Sequence, residues 1–234
     1  MMTKMMIRLA ATAAFLFLAL TAQGTEKAAA TETQATTLLA AIRAHPKSVP
    51  SRLSYAVYLE KHAKYEEALD QYNRILELTT PTAALKVHRQ TLKTACKMHA
   101  MESWIRGPHP KSQDPATEPA PNINGPDIST AMHNAGITEP MLVHVAGLVI
   151  QRRVARIENL RAFEKAKELK EGSEGMLVDL STDMSDKHRI AVFISENGDR
   201  RTLIDLLAAA DASDSRLLTE FFINSIIVLS AQGR

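Results

Sequence analysis

Cys96, Met98, His99 and Met101 fall within six residues, and His88 lies two helical turns before Cys96. Thiol, thioether and imidazole are the soft donors that suit copper(I). At 100° per residue, His88, Cys96 and His99 share one side of a helix, within roughly 80° of arc. Leu85, Leu92 and Ala95 lie on that side too, which marks it as the face turned to a core. Met98 and Met101 are expected to point elsewhere. The residues therefore read as a packed helix with incidental histidines, and a soft-metal site is the competing reading.

There is no GxSxG nucleophile turn, no HExxH, no CxxC and no phosphate-cradling glycine loop. Glycines number nine, few for nucleotide loops. Carboxylates are plentiful, but no spacing pairs two of them. No catalytic residue, metal ligand or cofactor is expected, and the chain reads as a non-enzyme. Arg152, Arg153 and Arg156 form a short basic patch, read as a solvated helix face or as a dock for an acidic partner surface. Trp104, the one tryptophan, precedes a proline-rich stretch. It is expected to staple helix to loop, with partner contact as the alternative.

Composition bounds what positions these residues. A chain of 234 residues builds one or two compact domains. Apolar residues make up 45% and aromatics 5%, so the core must be mostly aliphatic. The net charge is +2. Once Lys4 and Arg8 of the first 24 residues are set aside, 26 bases face 26 acids. That balance gives no global grip on nucleic acid or an anionic membrane. A single cysteine excludes a disulfide framework.

The N-terminus has the three parts of an export signal. Lys4 and Arg8 form a basic region, Leu9–Leu20 an apolar one, and Ala22-Gln23-Gly24 a small-residue cleavage site. The apolar run is short for a bilayer, which needs about 20 residues. Residues 1–24 are expected to be a signal peptide and the destination the bacterial periplasm. A retained anchor helix is the alternative. No stable membrane span is expected after cleavage. Residues 25–34 are small and polar and read as a flexible start.

Helical spacing dominates the rest, and an all-α fold is expected. Leu38, Leu39 and Ile42 mark a first helix, ended by His45-Pro46. Leu53, Ala56, Leu59 and Ala63 share a face of the next. Tyr65, Ala68, Leu69, Tyr72, Ile75 and Leu76 mark a third, and Pro81 is expected to open a fourth. Six prolines within 107–126 break regular structure there. They divide an N-terminal helical region, 35–106, from a C-terminal one, 127–234. In the latter a long helix capped by Thr138 runs to about Leu169, and a very apolar helix begins at Ser213 or Ser215. GMLVDLS (175–181) and RIAVFIS (189–195) permit a short β-hairpin within 175–195.

SRLSYAVYLEKHAKYEEALDQYNRILELTTP (51–81) resembles a tetratricopeptide repeat, a helix–turn–helix of about 34 residues. Ala56 and Ala68 stand where two helices cross closely, Tyr55 precedes the first, and Ala63 sits in the turn. Tyr65 and Tyr72 supply the aromatics, and Pro81 closes the unit. The unit spans about 49–81. A degenerate copy is expected at about 185–212, where Ala191, Phe193, Ile194, Gly198 and Asp205 align with Ala56, Tyr58, Leu59, Ala63 and Asp70. There Leu203 replaces the second alanine and Leu207 the second aromatic.

The resemblance implies a protein-binding scaffold whose groove is lined by first helices. Carried onto this chain, the partner-binding residues are Leu53, Val57, Glu60 and Lys61. The expected role is an exported adaptor for another envelope protein, as an assembly or stability factor. The alternatives are an enzyme or copper-handling protein whose site converges only in three dimensions, and a structural protein that forms homo-oligomers through its C-terminal helix.

Overall fold

The computed structural model of the chain describes residues 32–107, 126–134, 137–172 and 175–232. The expected signal peptide, most of the flexible start and nearly all of the proline-rich segment lie outside these residues.

The described chain is all-α but for one small sheet. The order is α1 (32–44), α2 (Val49–Lys61), α3 (Tyr65–Leu78), α4 (Ala83–Ile105), α5 (Pro126–Asn134), α6 (Pro140–Lys165), β1 (Leu169–Glu171), β2 (Leu177–Asp179), α7 (Lys187–Ala210) and α8 (Ser215–Gln232).

α2 starts where Ser48 accepts a hydrogen bond from the Ser51 amide, with a proline in its first turn. Ala63 takes a left-handed φ of 53°, which reverses the chain into α3 within three residues. Ala56 and Ala68 have no exposed surface, so the two backbones approach without a side chain between them, while Tyr65 and Tyr72 fill the adjacent space. Arg52 Nη1 donates across the pair to Gln71 Oε1 at 3.0 Å. Pro81 precedes α4 rather than opening it, because Thr82 is the cap and accepts from Leu85 N at 3.2 Å.

α8 is the central helix. It packs against α4, α7 and α2, and buries Leu218, Phe221, Phe222 and Ile226. Each such side chain contributes about 1.5–3 kcal/mol. Those four side chains are buried within the chain, while Ile227 of the same helix stands 57% exposed. Asp214, not a serine, caps this helix, accepting from Arg216 N at 3.0 Å and Leu217 N at 3.1 Å. Glu139, not Thr138, caps α6.

Two expectations for the C-terminal region are corrected. The strand at 177–179 forms, but it pairs antiparallel with 169–171 and not with 189–195. Its tight turn needs glycine. Gly175 has φ 70°, and a Cβ on Gly172 would lie 2.7 Å from Val178 Cγ2. Residues 187–210, where the degenerate helix–turn–helix was expected, form one unbroken helix with Gly198 in its middle. An Asn-Gly pair turns a chain when extended strands flank it. Here Val192, Glu196, Arg200, Leu203 and Leu207 bury a continuous helical stripe on both sides of it. That burial outweighs the roughly 1 kcal/mol cost of a helical glycine.

One buried cluster runs from α2 through α8, so residues on both sides of the proline-rich segment share a core. A second, smaller cluster joins α6, the hairpin and α7 through Ile157, Leu160, Leu169, Leu177 and Val192.

Candidate functional site

Among the described residues, charge is concentrated in a buried layer where α4, α6, α7 and β1 meet. α4 brings Glu102 and Arg106, one turn apart. α6 brings Arg152, Arg153 and Arg156. α7 brings Glu196, Asp199 and Arg200, and β1 brings Glu171.

Arg153 is fully buried and sits at the centre. Its Nη1 and Nη2 bind the two Glu102 oxygens, the second at 3.1 Å, and its Nε donates to Glu196 Oε1 at 3.0 Å. Glu196 also accepts from Arg200 Nε at 2.9 Å. Arg200 forks onto Glu171, with Nη1 to Oε2 at 2.6 Å and Nη2 to Oε1 at 2.9 Å. It also donates to the Gly175 carbonyl at 2.8 Å. Arg106 Nη2 donates to Glu171 Oε1 at 2.6 Å, which returns the chain of pairs to α4. Asp199 holds Arg152 and Arg156 at the outer edge. The guanidinium carbons of Arg153 and Arg200 stand 6.0 and 5.9 Å from the Phe222 ring centroid.

Burial alone would raise the Glu196 carboxyl. Arg153 and Arg200 beside it outweigh burial and hold it at about 2. Glu171 is held low in the same way, burial being overcome by Arg200 and then Arg106. Burial disfavours the Arg153 cation, and Glu102 and Glu196 more than restore it. Glu171, Glu196 and Arg153 are thus each held in the charged form by their partners. An arrangement that locks both signs in place orients helices.

The basic patch expected to be a solvated face is thus mostly interior. The signal was legible. Arg153 falls four residues from both Val149 and Ile157, on the stripe that α6 buries. Glu102 follows Ala95 and Met98 on the α4 stripe, and Glu196 follows Val192 on that of α7. Charges of opposite sign at apolar positions of three helices predict mutual burial.

The residues expected to line a groove divide. Leu53 and Val57 stand outward on α2, 41% and 38% exposed, and Lys61 is exposed beyond them. Glu60 does not join them. It is 7% exposed and accepts from His88 Nε2 at 2.7 Å. The Tyr72 hydroxyl is raised by burial and then by Glu60, to which it also hydrogen-bonds. Glu60 shares the helical side of Leu53, but α4 and α8 cover the last turn of α2, and Asn224 Nδ2 reaches the Glu60 carbonyl at 3.4 Å.

The sulfur and imidazole cluster on α4 does not converge. Met98 and Met101, expected to point away from the core, are both buried within it. The α4 stripe runs through Leu92, Ala95, Met98, Met101 and Ile105, so the buried arc is rotated from the one drawn through the histidines. Burial, with Glu66 nearby, pushes the Cys96 thiol up to about 12. His99 stacks edge-on to Tyr65, with ring centroids 5.7 Å apart. Burial lowers its pKa against the pull of Glu102 and Glu66. Among the described residues, no three His, Cys, Asp or Glu side chains gather as a metal-binding set. Trp104 is half-buried against the main core.

No family model, no curated protein and no solved structure matches this chain.

Proposed function

We propose that the chain is an exported, tetratricopeptide-like adaptor of the bacterial periplasm that holds another envelope protein, as an assembly or stability factor. The observation that carries this reading is the outer side of α2. Leu53 and Val57 lie one turn apart, both outward, on a helix fixed by a close crossing with α3. Two aliphatic side chains held in water on a rigid helix present a ready-made contact for an apolar partner surface. Lys61 adds a charge that selects orientation. The buried ionic layer supports a scaffold role, since it pins α4, α6 and α7 in one arrangement.

The test is a mild crosslinking pull-down of residues 25–234 from the native envelope, beside a Leu53→Glu, Val57→Glu double variant. One partner recovered with the wild type and lost with the variant supports the adaptor. Equal recovery with both, or recovery with neither, overturns it. N-terminal sequencing of the envelope-derived protein tests export, with Thr25 expected as the first residue.

A further inference from the structure

β1 and β2 form a sheet of their own, and a lone two-stranded pair is marginal in water. Their inner face adds Leu169 and Leu177 to the small cluster of Ile157, Leu160 and Val192. Gly175 and Met176, in the turn, rest against the larger core.

Side chains hold this pair to the helices, and the charged ties rest on two acids. Glu171 of β1 takes Arg106 of α4 and both terminal nitrogens of Arg200 of α7. Asp179 of β2 takes Arg189 of α7. The uncharged acceptors include the Gly175 carbonyl, bound by Arg200 at 2.8 Å, and the Leu177 backbone, bridged by Asn197.

Each of the three arginines has a second acid outside the strands. Arg200 Nε keeps Glu196 at 2.9 Å, Arg106 Nε faces Glu102 at 3.8 Å, and Arg189 Nε faces Asp186 at 4.0 Å. Behind them Arg153 of α6 binds both Glu102 and Glu196, and Ser230 of α8 accepts from Arg106 Nη1 at 3.0 Å. The strands can therefore leave without stranding an unpaired guanidinium in the body, which is the costly way to break a buried pair.

Exposure separates the two sets of acids. The Glu171 and Asp179 side chains are 15% and 19% exposed, so a proton reaches them in the closed fold. Those of Glu102 and Glu196 are sealed, at 0% and 1%, and take a proton only when the body opens.

We infer that β1 and β2 form an acid-released strap: with Glu171 and Asp179 protonated, they lift from α7 as one unit, the helices stay folded, and Ile157, Leu160, Val192 and Phe193 are uncovered as an apolar face. A carboxylate tied to guanidinium groups supports the closed form while it is ionised, and that support is lost as pH falls. For Glu171 the loss lies below the ordinary glutamate value of about 4.3, because burial is outweighed by Arg200 and Arg106, which hold it low. The inference goes beyond the adaptor reading and does not need it, because α2 takes no part in the strap.

The experiment is hydrogen exchange of residues 25–234, read peptide by peptide from about pH 7 to about 2.5 and corrected for the intrinsic rate at each pH. Far-UV circular dichroism and the emission of an apolar dye are followed in parallel. Protection across 169–180 is expected to fall at least about tenfold at a pH where α4 and α8 keep theirs. Dye emission should rise in the same step, with helicity unchanged. Glu171→Gln keeps the shape and removes the charge, and should lower strand protection at neutral pH at least about fivefold. Asp179→Asn and Arg106→Gln should each move the opening to higher pH. Asp205→Asn, exposed on α7 outside the latch, should leave the profile unchanged. Strands and helices that lose protection together at every pH would overturn the assignment. So would strands that stay protected until the helices melt, or a Glu171→Gln variant that matches the wild type. A Glu171→Gln variant that loses its helices at neutral pH would overturn it too, since Glu171 would then hold the whole body rather than the strap.

Discussion

Arg153 of α6 grips Glu102 of α4 with both terminal nitrogens, and the pair is fully buried although 51 residues of chain separate its members. The proline-rich segment falls between them. The pair therefore ties the region before that segment to the region after it. Its attraction is offset by the cost of taking two charges out of water, so its value is register more than net stability. Apolar helices can slide past one another at small cost, whereas a forked ion pair fits in one position.

Breaking the pair from one side should be costly. Arg153→Met leaves Glu102 and Glu196 facing each other in the core, and a loss of about 3–5 kcal/mol is expected in urea unfolding. A Glu102→Leu, Arg153→Met double variant should lose less than the two single variants together. Strict additivity would mean that the two residues do not act as a pair.

Acid should loosen the same layer. The Glu196 carboxyl is held at about 2 in the fold, below the roughly 4.3 of a free glutamate, and Glu171 is also held low. A depressed carboxyl stabilises the fold above its unfolded value, and that stability is lost as pH falls through the folded one. The melting temperature should thus decline from about pH 4.5 towards 2. Glu196→Gln should flatten that decline.

His99 acts in a different window. Its folded pKa is lowered by burial, so the unfolded chain binds the proton more readily. The neutral ring is compatible with folding above the ordinary value of about 6.5, and stability falls as pH drops below it. Melting curves between pH 7.5 and 5.5, about a unit on either side of that value, should show this loss in the wild type. They should not show it in His99→Phe.

Gly198 offers a gain. A Cβ built there meets nothing within 4 Å, and the residue lies mid-helix. Gly198→Ala should stabilise the protein by about 0.4–1 kcal/mol, read as a higher melting temperature. A fall instead would mean that the chain needs a turn at this position.

Asn197 stands in for a missing strand. Its Oδ1 accepts from Leu177 N at 2.7 Å, and its Nδ2 donates to the Leu177 carbonyl at 3.1 Å. Asn197→Leu should cost about 1–3 kcal/mol by leaving both backbone groups unpaired. It should also speed hydrogen exchange at the Leu177 amide. Unchanged exchange there would show that the amide bridge does not protect the strand.

The helices and the α2–α3 pair could be read from local spacing, because they depend on near neighbours. Spacing of three and four marks a buried face, and alanines mark a close crossing, whatever the rest of the chain does. The sequence also carried the clue to the ionic layer in charges placed on apolar stripes. Which partners those charges take follows from the packing of the helices. Glu102 finds Arg153 across 51 residues, and Glu60 finds His88 across 28. Such pairing depends on how helices cross, which local periodicity does not encode. The same holds for Asn197-Gly198, which reads as a turn among its neighbours and becomes helix because distant side chains cover both sides of it.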